Sequence, residues 1–428
     1  MRVLIKDLNS KINEEVTIMG WVHRIRKLKK ITFLILRDRS GIVQTVLDAQ
    51  KIDLKGLKLE SVVSLEGIVK QSDNSAGSVE IEVSRFEVIS AVKEDLPIAV
   101  NTDEPEGNID TRLNNRLLSL RNCKTNAVFK IQAVLAQQFA EFLKKKEFVQ
   151  IFTPKIVCEG AEGGTALFEV KYFERKAYLA QSPQFYKQMM VGAGFERVFE
   201  IGQVYRAEEH NTLRHLNEYV SMDLEMGFIK DERDIMALET ELLRYMFINV
   251  KIECEKEFEM LDADVPVIGS EIPAVRLSEA LDILKKEYGK DGLTEDLDPE
   301  GEKMIGQYAK EKYNSDFIFL THYPRSKRPM YTMPAEKNLT HSFDLLFRGL
   351  EITTGGQRIH DYDMLVDNMI FKGLNPEDFS TYLDTFRYGM PPHGGLAIGL
   401  ERLTAQLLKL RNVRDASLFP RDRERITP

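Results

Sequence analysis

A polar stretch near the middle of the chain, RAEEHNTLRHLNE (206–218), concentrates side chains that can bind or move charge. The apolar segments RVFEIGQVY and YVSMDLEMGFI flank it, which predicts a long hairpin with a polar loop. Arg206 and Glu208 are two residues apart, so they would share one face of a strand. A guanidinium binds phosphate oxygens bidentately, and a carboxylate accepts from an amine such as that of adenine. The stretch indicates a nucleotide site in which Arg214 and His215 grip more distal phosphates; a surface hairpin with scattered ion pairs is the alternative.

A glycine-rich stretch close to the C terminus, YGMPPHGGLAIGLERL (388–403), leads into a predicted helix. Gly394, Gly395 and Gly399 permit close approach of the backbone, and Arg402 would lie in the first helical turn. A glycine-rich strand that feeds a helix is typical of nucleotide binding. The stretch is neither a Walker P-loop nor a Rossmann GxGxxG, so the pattern alone does not assign a fold.

A third stretch, SFDLLFRGLEITTGGQRIHDYD (342–363), combines acidic residues with a glycine pair and an arginine. Asp344 and Glu351 bracket a strand-like segment, and Arg358 follows the glycines. Carboxylates beside nucleotide phosphates suit Mg²⁺, which prefers oxygen ligands. The alternative is two ordinary surface acids in a chain with 67 of them.

These stretches need elements that position them, and the chain changes pattern along its length. Five apolar or alternating segments before residue 95, separated by turn residues, predict a small β-barrel, of which the five-stranded oligonucleotide-binding barrel is one form. Residues 96–124 contain Pro, Asp and Glu and predict a linker or hinge. Residues 125–428 begin with a long amphipathic helix and then mix strands with helices, with a possible helical insertion near 270–315.

Composition limits the class of protein. The formal net charge is −8, so a nucleic-acid partner would have to meet a local basic patch. The chain has 3 cysteines without zinc-like spacing, and an odd count argues against a disulfide framework. No apolar run is long enough for a membrane span, and the N terminus lacks the pattern of a signal peptide, so we expect a cytoplasmic protein that does not contact a membrane.

Together the three stretches resemble the motifs of class II aminoacyl-tRNA synthetases, specifically the class IIb aspartyl enzymes of the archaeal and eukaryotic type. The long helix with FVQIFTPKIV resembles motif 1, the polar hairpin resembles motif 2 and GLAIGLERL resembles motif 3. The resemblance implies an α+β fold in which an N-terminal OB-fold barrel binds the anticodon and a catalytic domain is built on an antiparallel sheet flanked by helices. It also implies a homodimer with motif 1 at the interface.

The resemblance implies a reaction in which ATP activates L-aspartate and the aspartyl group passes to the terminal adenosine of tRNA(Asp). Arg206 would hold the α-phosphate, Glu208 would read the adenine amine, and Arg402 would stack on adenine or reach the γ-phosphate. The ATP site would contain Arg206, Glu208, Arg214, His215, Glu351, Gly399 and Arg402. The Mg²⁺ ligands would be Asp344, Glu351 and Thr354.

Two cations would select the amino acid, because the resemblance matches Lys187 and Arg358 to positions that clamp the β-carboxylate. The asparaginyl enzymes share all three motifs but lack this lysine, and a buried lysine unpaired against an amide would be unfavourable. Ser182 and Gln184 would line the pocket. Asp223 and Glu162 would face the α-ammonium, the latter from CEGAEGGTALF (158–168), which resembles the family's mobile loop.

The basic cluster HRIRKLKK (23–30) would meet the anticodon, since aromatic and cationic groups bind single strands in such barrels. The resemblance places His23, Arg26, Phe33 and Gln44 there. Some strict archaeal relatives carry Trp where His23 stands, whereas strict eukaryotic relatives can carry His. The range of substrates therefore stays open between tRNA(Asp) alone and tRNA(Asp) with tRNA(Asn). A non-catalytic RNA-binding paralogue is the alternative of a different class.

Overall fold

A computed structural model describes residues 2–72, 79–160, 167–209 and 212–428 of the chain. The chain forms two compact units, Met1–Gly107 and Asn108–Pro428. The division falls inside the segment 96–124 that the sequence predicts as a linker, and that segment also contains the short helices α1 (Ile109–Asn114) and α2 (Arg116–Ser119).

The N-terminal unit is a closed barrel of five strands, as the sequence predicts. Buried and more exposed residues alternate along its strands, so each strand turns one apolar row toward the interior. A 3₁₀ helix at Ile5–Lys11 precedes it. The strands are β1 (Glu15–Lys27), β2 (Ile31–Asp38), β3 (Gly41–Asp48), β4 (Val62–Gln71) and β5 (Val79–Ser90), in the order β1-β2-β3-β5-β4, with β3 and β5 parallel.

The second unit is built on an eight-stranded sheet. Its strands are β6 (Val149–Gln150), β10 (Arg197–Tyr205), β11 (Glu218–Gly227), β12 (Ala274–Arg276), β13 (Phe317–Thr321), β14 (Ser342–Phe347), β15 (Leu350–Arg358) and β16 (His393–Gly399). Their order is β12-β13-β14-β15-β16-β11-β10-β6. The six middle strands are antiparallel, as the resemblance implies, whereas β12 and β6 are parallel additions at the two edges. A smaller sheet contains β7 (Ile156–Val157), β8 (Glu169–Tyr172) and β9 (Arg175–Leu179) in the order β7-β9-β8.

The long helix predicted from Thr125 is confirmed as α3 (Cys123–Lys145). The Asn122 side chain caps it by accepting from two backbone N–H groups of the first turn, and lysines occupy the last turn. Its apolar face joins the main core, together with α5 (Glu232–Glu253) and the strands of the large sheet. Burial of this apolar face against the large sheet fixes the position of α3 relative to the strands.

Further helices cover the edges of the large sheet. In the segment 270–315, α7 (Leu277–Tyr288) and α8 (Pro299–Tyr313) connect β12 to β13 and carry a small core of their own against β13. The remaining helices are α4 (Gln184–Met190), α6 (Glu255–Leu261), α9 (Tyr362–Phe371), α10 (Ser380–Arg387) and α11 (Leu400–Leu407). Among the described residues, no helix combines the length and the apolar character that a membrane crossing requires.

Candidate active site

A cavity of about 500 Å³ in the second unit brings together the three polar stretches of the sequence. The β10–β11 hairpin, β15 and the start of α11 form much of its wall. On the predicted amino-acid side it is lined by Ser182, Gln184, Lys187 and Arg358. All the predicted ATP residues line it too: Arg206, Glu208, Arg214, His215, Glu351, Gly399 and Arg402.

The predicted hairpin is confirmed, since β10 and β11 pair from Arg197 with Met226 to Tyr205 with Glu218. The expectation that Arg206 and Glu208 share a strand face is wrong, because β10 ends at Tyr205. Asn217 holds the loop instead: its amide donates to the backbone oxygens of Arg206 (2.7 Å) and Glu208 (3.0 Å). The side-chain amide of Asn217 thus fixes the residues that a regular strand would have aligned.

The distal part of the hairpin is paired with acidic groups. Both oxygens of Glu302, on α8, accept from Nη2 of Arg214 at 2.8 and 2.6 Å. Burial raises the pKa of Glu302, against the opposing effect of Arg214. His215 lies 3.8 Å from a carboxylate oxygen of Glu208. Sequence reasoning missed Glu302, because it lies on a helix far along the chain and carries no motif.

Arg402 connects the two walls of the cavity. Its guanidinium donates to the backbone oxygens of Arg214 (3.4 Å) and Glu351 (3.2 Å). Because α11 begins directly after β16, the sheet itself places this arginine over the cavity. The arrangement leaves a guanidinium at the meeting point of motif 2 and the acidic strand β15.

The glycines of β16 are needed for packing inside the protein. A Cβ at Gly395 would lie 2.2 Å from both the Leu224 backbone oxygen and a carboxylate oxygen of Glu225. A Cβ at Gly394 would lie 2.7 Å from the backbone oxygen of Gly356. These two glycines therefore permit close approach of neighbouring strands, and Gly399 alone of the three lines the cavity.

The predicted metal ligands lie close to one another on β14 and β15. The Thr354 hydroxyl donates to a carboxylate oxygen of Glu351 at 3.0 Å, and both residues line the cavity. Asp344 stands opposite Thr354 in the strand register and forms a 2.7 Å ion pair with Arg328. Burial raises the pKa of Asp344 to about 6; Arg328 opposes that rise and Glu351 adds to it. The other carboxylate oxygen, Oδ1, is buried without a hydrogen-bond partner among the described residues, so the oxygen donors suit a hard cation.

Lys187 and Arg358 are buried cations held by carboxylates. Nζ of Lys187, a residue only 1% exposed, donates to Asp223 at 2.9 Å and to the backbone oxygen of Leu396 at 3.2 Å. Nε of Arg358 donates to Glu225 at 3.0 Å, and Glu225 also lies 3.4 Å from Nζ of Lys187. Buried charges require such partners, so these four side chains form one unit.

Glu225 is the shared acceptor of that unit, a role that the sequence does not reveal. Burial alone would raise its pKa, but the charges of Arg358 and Lys187 and the hydrogen bond from Arg358 lower the pKa below its ordinary value. The carboxylate is therefore charged in the folded protein. The side-chain amide of Gln184 lies 3.4 Å from it, and Ser182 accepts from the backbone N–H of Gln184 at 3.1 Å.

A neutral, buried histidine, His393, lies close to this unit. Nδ1 of His393 donates to the backbone oxygen of Pro391 at 2.9 Å, so Nε2 is left to accept from Gln188 at 2.8 Å. The Tyr382 hydroxyl donates to the amide oxygen of Gln188 at 3.0 Å. Burial lowers the pKa of His393 to about 4, which keeps the ring uncharged. Glu162, predicted at the α-ammonium, lies outside the described residues.

Comparison with known proteins gives this arrangement a family. Residues 108–423 match the family described as tRNA synthetases class II (D, K and N), and residues 16–89 match the OB-fold nucleic acid binding domain. The chain belongs to the class II tRNA synthetases. The match covers the whole cavity and the barrel, so the resemblance drawn from the three motifs is confirmed.

Relatives of this synthetase match over its full length. A Thermus thermophilus protein named aspartate–tRNA(Asp/Asn) ligase is 50% identical over 100% of both chains. A Pyrococcus abyssi protein named aspartate–tRNA(Asp) ligase is 43% identical over 99% of this chain and 98% of its own. The structure of the asparaginyl-tRNA synthetase from Pyrococcus horikoshii with asparaginyl-adenylate is 33% identical, with a TM-score of 0.92 over 100% of both chains. Fold alone therefore does not separate the two amino acids.

In the barrel of this synthetase, two predicted anticodon residues are neighbours across a strand pair. Arg26 on β1 stands opposite Phe33 on β2, and Arg26 is exposed while Phe33 is half-buried. Gln44 on β3 donates to a carboxylate oxygen of Glu80 at 2.9 Å. A cation beside an aromatic ring is the pairing that stacks on bases and follows phosphates.

His23 differs from the other three because it is buried. Its Nδ1 lies 3.3 Å from the Arg37 guanidinium, which in turn forms a 2.7 Å ion pair with Glu60. Burial and the neighbouring Arg37 lower the pKa of His23. A buried ring in a polar network suggests that any effect of His23 on RNA passes through the position of its neighbours.

Proposed function

We propose that this class II synthetase activates L-aspartate with ATP and transfers the aspartyl group to tRNA. The observation that carries the proposal is the pair of buried cations, Lys187 and Arg358, in the same cavity as the arginines Arg206 and Arg402. The first pair suits a carboxylate side chain, and the second suits the phosphates of ATP. The 50% identity to an aspartate–tRNA(Asp/Asn) ligase over the full length supports the same conclusion.

The first step joins two anions, so it needs positioning and neutralisation of charge. An oxygen of the aspartate α-carboxylate forms a bond to the α-phosphorus of ATP, the bond to the bridging oxygen breaks, and pyrophosphate leaves. Arg206 would neutralise the α-phosphate, and Arg214 with His215 would meet the outer phosphates. Glu208 would accept from the adenine amine, while Arg402 would fix the nucleotide against the opposite wall.

The second step transfers the activated amino acid. The 3′-hydroxyl of the terminal adenosine of tRNA attacks the carbonyl carbon of the adenylate, an ester bond forms, and AMP leaves with the electron pair of the broken mixed-anhydride bond. The hydroxyl proton passes to a phosphate oxygen or to water. The arginines that hold the α-phosphate also stabilise AMP as the leaving group.

Aspartate is favoured over asparagine by the charges in the pocket. Lys187 and Arg358 offer only donors, so the side chain that they meet has to accept. A carboxylate does this with both oxygens, whereas an amide would direct its NH₂ group at one of the cations. A site built for acceptors rejects the other substrate strongly, because buried donors would be left unpaired.

We propose Mg²⁺ as the ion that accompanies ATP, held by Glu351 and Thr354 with Asp344 behind them. When bound, the ion would neutralise charge on the phosphates. Oδ1 of Asp344, which has no hydrogen-bond partner among the described residues, and the hydroxyl of Thr354 are oxygen ligands of the kind that this cation prefers.

We propose that motif 1 mediates a homodimer. The edge strand β6 and the segment after it expose apolar side chains: Val149 is 43%, Phe152 83% and Ile156 49% exposed in the single chain. Exposed apolar residues next to an unpaired strand edge mark a contact with another chain. A second copy of this chain is the expected partner.

We propose that both tRNA(Asp) and tRNA(Asn) are charged. The Thermus relative at 50% identity is named for both tRNAs, whereas the Pyrococcus relative at 43% is named for tRNA(Asp) alone. His23 is buried, so its ring is poorly placed to read the last anticodon base directly. The two anticodons differ at that base only.

The test uses purified full-length chain with each amino acid and each tRNA. ATP–pyrophosphate exchange should depend on aspartate and should be far slower with asparagine. Labelled aspartate should then appear on both purified tRNAs. No aspartate-dependent exchange would refute the enzyme and favour a non-catalytic RNA-binding protein; exchange with asparagine instead would favour the asparaginyl alternative. Charging of tRNA(Asp) alone would overturn only the wider tRNA range.

A further inference from the structure

Glu232, His322 and His341 form a cluster that the aminoacylation chemistry does not use. One ligand atom from each lies within 4.8 Å of the other two. None of the three is among the described residues that line the cavity. They come from three elements: Glu232 begins α5, His322 directly follows β13, and His341 directly precedes β14.

The backbone fixes the position of each member. His322 donates through its N–H to the Ser342 oxygen at 3.0 Å, which continues the β13–β14 pairing. The His341 N–H donates to the Met333 oxygen at 2.9 Å, and its own oxygen accepts from Gln357 at 2.9 Å. Asp231 caps α5 and so sets where Glu232 stands. The cluster is therefore built on rigid elements.

The side chains already face one another. Nδ1 of His341 lies 2.8 Å from a carboxylate oxygen of Glu232, and the rings of His322 and His341 are 5.9 Å apart. The Thr321 hydroxyl lies 3.0 Å from Nδ1 of His322 and restrains that ring. Glu232 is buried, and the two histidines are partly buried.

An ion pair between Glu232 and His341 would explain two members of the cluster but leaves His322 unexplained. Two imidazoles and one carboxylate are a donor set typical of zinc, with a fourth position left for water. Ligand atoms around a tetrahedral zinc ion are roughly 3.4 Å apart, so small rotations would suffice to bring these atoms into place.

The surrounding charges are nearly balanced. Asp231 and Glu279 add negative charge near the cluster, and Arg233 and Arg276 add positive charge. The Asp231 carboxylate accepts hydrogen bonds from the Arg233 side chain, so the charges of these two residues compensate each other. The charge that determines binding is thus the carboxylate of Glu232.

We propose that Glu232, His322 and His341 bind one divalent transition-metal ion of the zinc type, which joins the start of α5 to the ends of β13 and β14. The site is distinct from the Mg²⁺ ligands on β14 and β15. The three ligands are far apart in the chain, so no motif of spacing announces them.

The experiment titrates Co²⁺ into tag-free, chelator-treated full-length chain and follows its visible absorption. One Co²⁺ per chain should bind, Zn²⁺ should displace it, and the metal should raise the melting temperature. His322→Gln and His341→Gln should each weaken binding by at least about tenfold, in line with the sensitivity of metal sites to loss of a partner. His23→Gln removes a histidine from the barrel and should bind Co²⁺ as tightly as the wild-type chain.

Circular dichroism of the variants controls for folding. Absence of saturable Co²⁺ binding in the wild-type chain would refute the site. Equal binding in the wild-type chain and in both folded variants would do the same, because the metal would then lie elsewhere. The readout is metal binding alone, so neither result bears on the proposed aminoacylation.

Discussion

Lys187 and Asp223 form a 2.9 Å ion pair in which each side chain is only 2% exposed. Breaking such a buried pair from one side leaves an uncompensated charge, which costs about 3–5 kcal/mol of stability. We therefore expect Lys187→Gln to lower the melting temperature and to raise the KM for aspartate in pyrophosphate exchange. Lys176→Gln, at an ion pair whose lysine is 73% exposed, is the matched control and should change neither quantity measurably.

Arg402→Gln should slow adenylate formation. Arg402 is proposed to stabilise charge on the nucleotide, and loss of one such donor reduces kcat by about 10²–10³-fold in comparable sites. ATP–pyrophosphate exchange at saturating aspartate measures this. Arg411→Gln removes an exposed arginine a short distance along the chain and controls for the loss of positive charge. An unchanged kcat in Arg402→Gln would exclude the proposed role.

Glu239 should make the stability depend on pH. Burial on α5 raises its pKa to about 8 from 4.5, against a smaller opposing effect of the Thr353 hydroxyl. The native state therefore holds a proton between about pH 4.5 and 8 that the unfolded chain releases, and the free energy of unfolding falls as pH rises through this window.

Glu239→Gln should remove that part of the pH dependence, because the amide is neutral at every pH. Denaturant unfolding at several pH values between 5 and 8.5 would show the variant gaining on the wild-type chain as pH rises. Glu241→Gln on the same helix, where the side chain is 51% exposed, should follow the wild-type profile. Parallel profiles for wild type and Glu239→Gln would contradict the assignment.

Phe152→Glu should weaken the proposed dimer. Phe152 is 83% exposed next to β6, and a carboxylate there would have to be buried at an interface. Sedimentation velocity should show a shift toward monomer. Phe173→Glu changes another exposed phenylalanine (76%) on the turn between β8 and β9 and should leave the distribution unchanged. A wild-type chain that sediments as a monomer would refute the proposal directly.

Phe33→Ala should weaken tRNA binding. Stacking of one base on an aromatic ring contributes about 1–3 kcal/mol, so the KM for tRNA should rise roughly five- to 150-fold. Pyrophosphate exchange, which needs no tRNA, should change little. A fall in exchange activity, with the tRNA KM unaltered, would mean that Phe33 supports folding rather than anticodon binding.

Local pattern was sufficient for the barrel and for the β10–β11 hairpin, because alternation of apolar residues reports directly on a two-sided sheet. It was insufficient beyond the end of the strand, where the Asn217 side chain adds to the single backbone hydrogen bond from Arg206 to Asn217. The sequence predicted Arg206 and Glu208 on a strand, but Asn217 binds their backbone oxygens and the strand ends before them.

Long-range partners were also beyond the sequence. Lys187 reads as an ordinary helix lysine until β11 and β16 supply Asp223 and the Leu396 oxygen. Glu302 reads as one surface acid among many until α8 brings it to Arg214. Sequence motifs identify the side chains that contact a ligand. The partners that hold those side chains in place come from distant parts of the chain and are determined by packing.

The packing around Gly395 limits which mutations its codon can accept. A Cβ there would collide at 2.2 Å with the Leu224 backbone as well as with Glu225, so no rotation of a single side chain relieves it. Every missense change in this codon adds a Cβ, which would have to push β11 away from β16 or displace Glu225. The position of the carboxylate that holds Arg358 thus depends on a codon whose residue has no side chain.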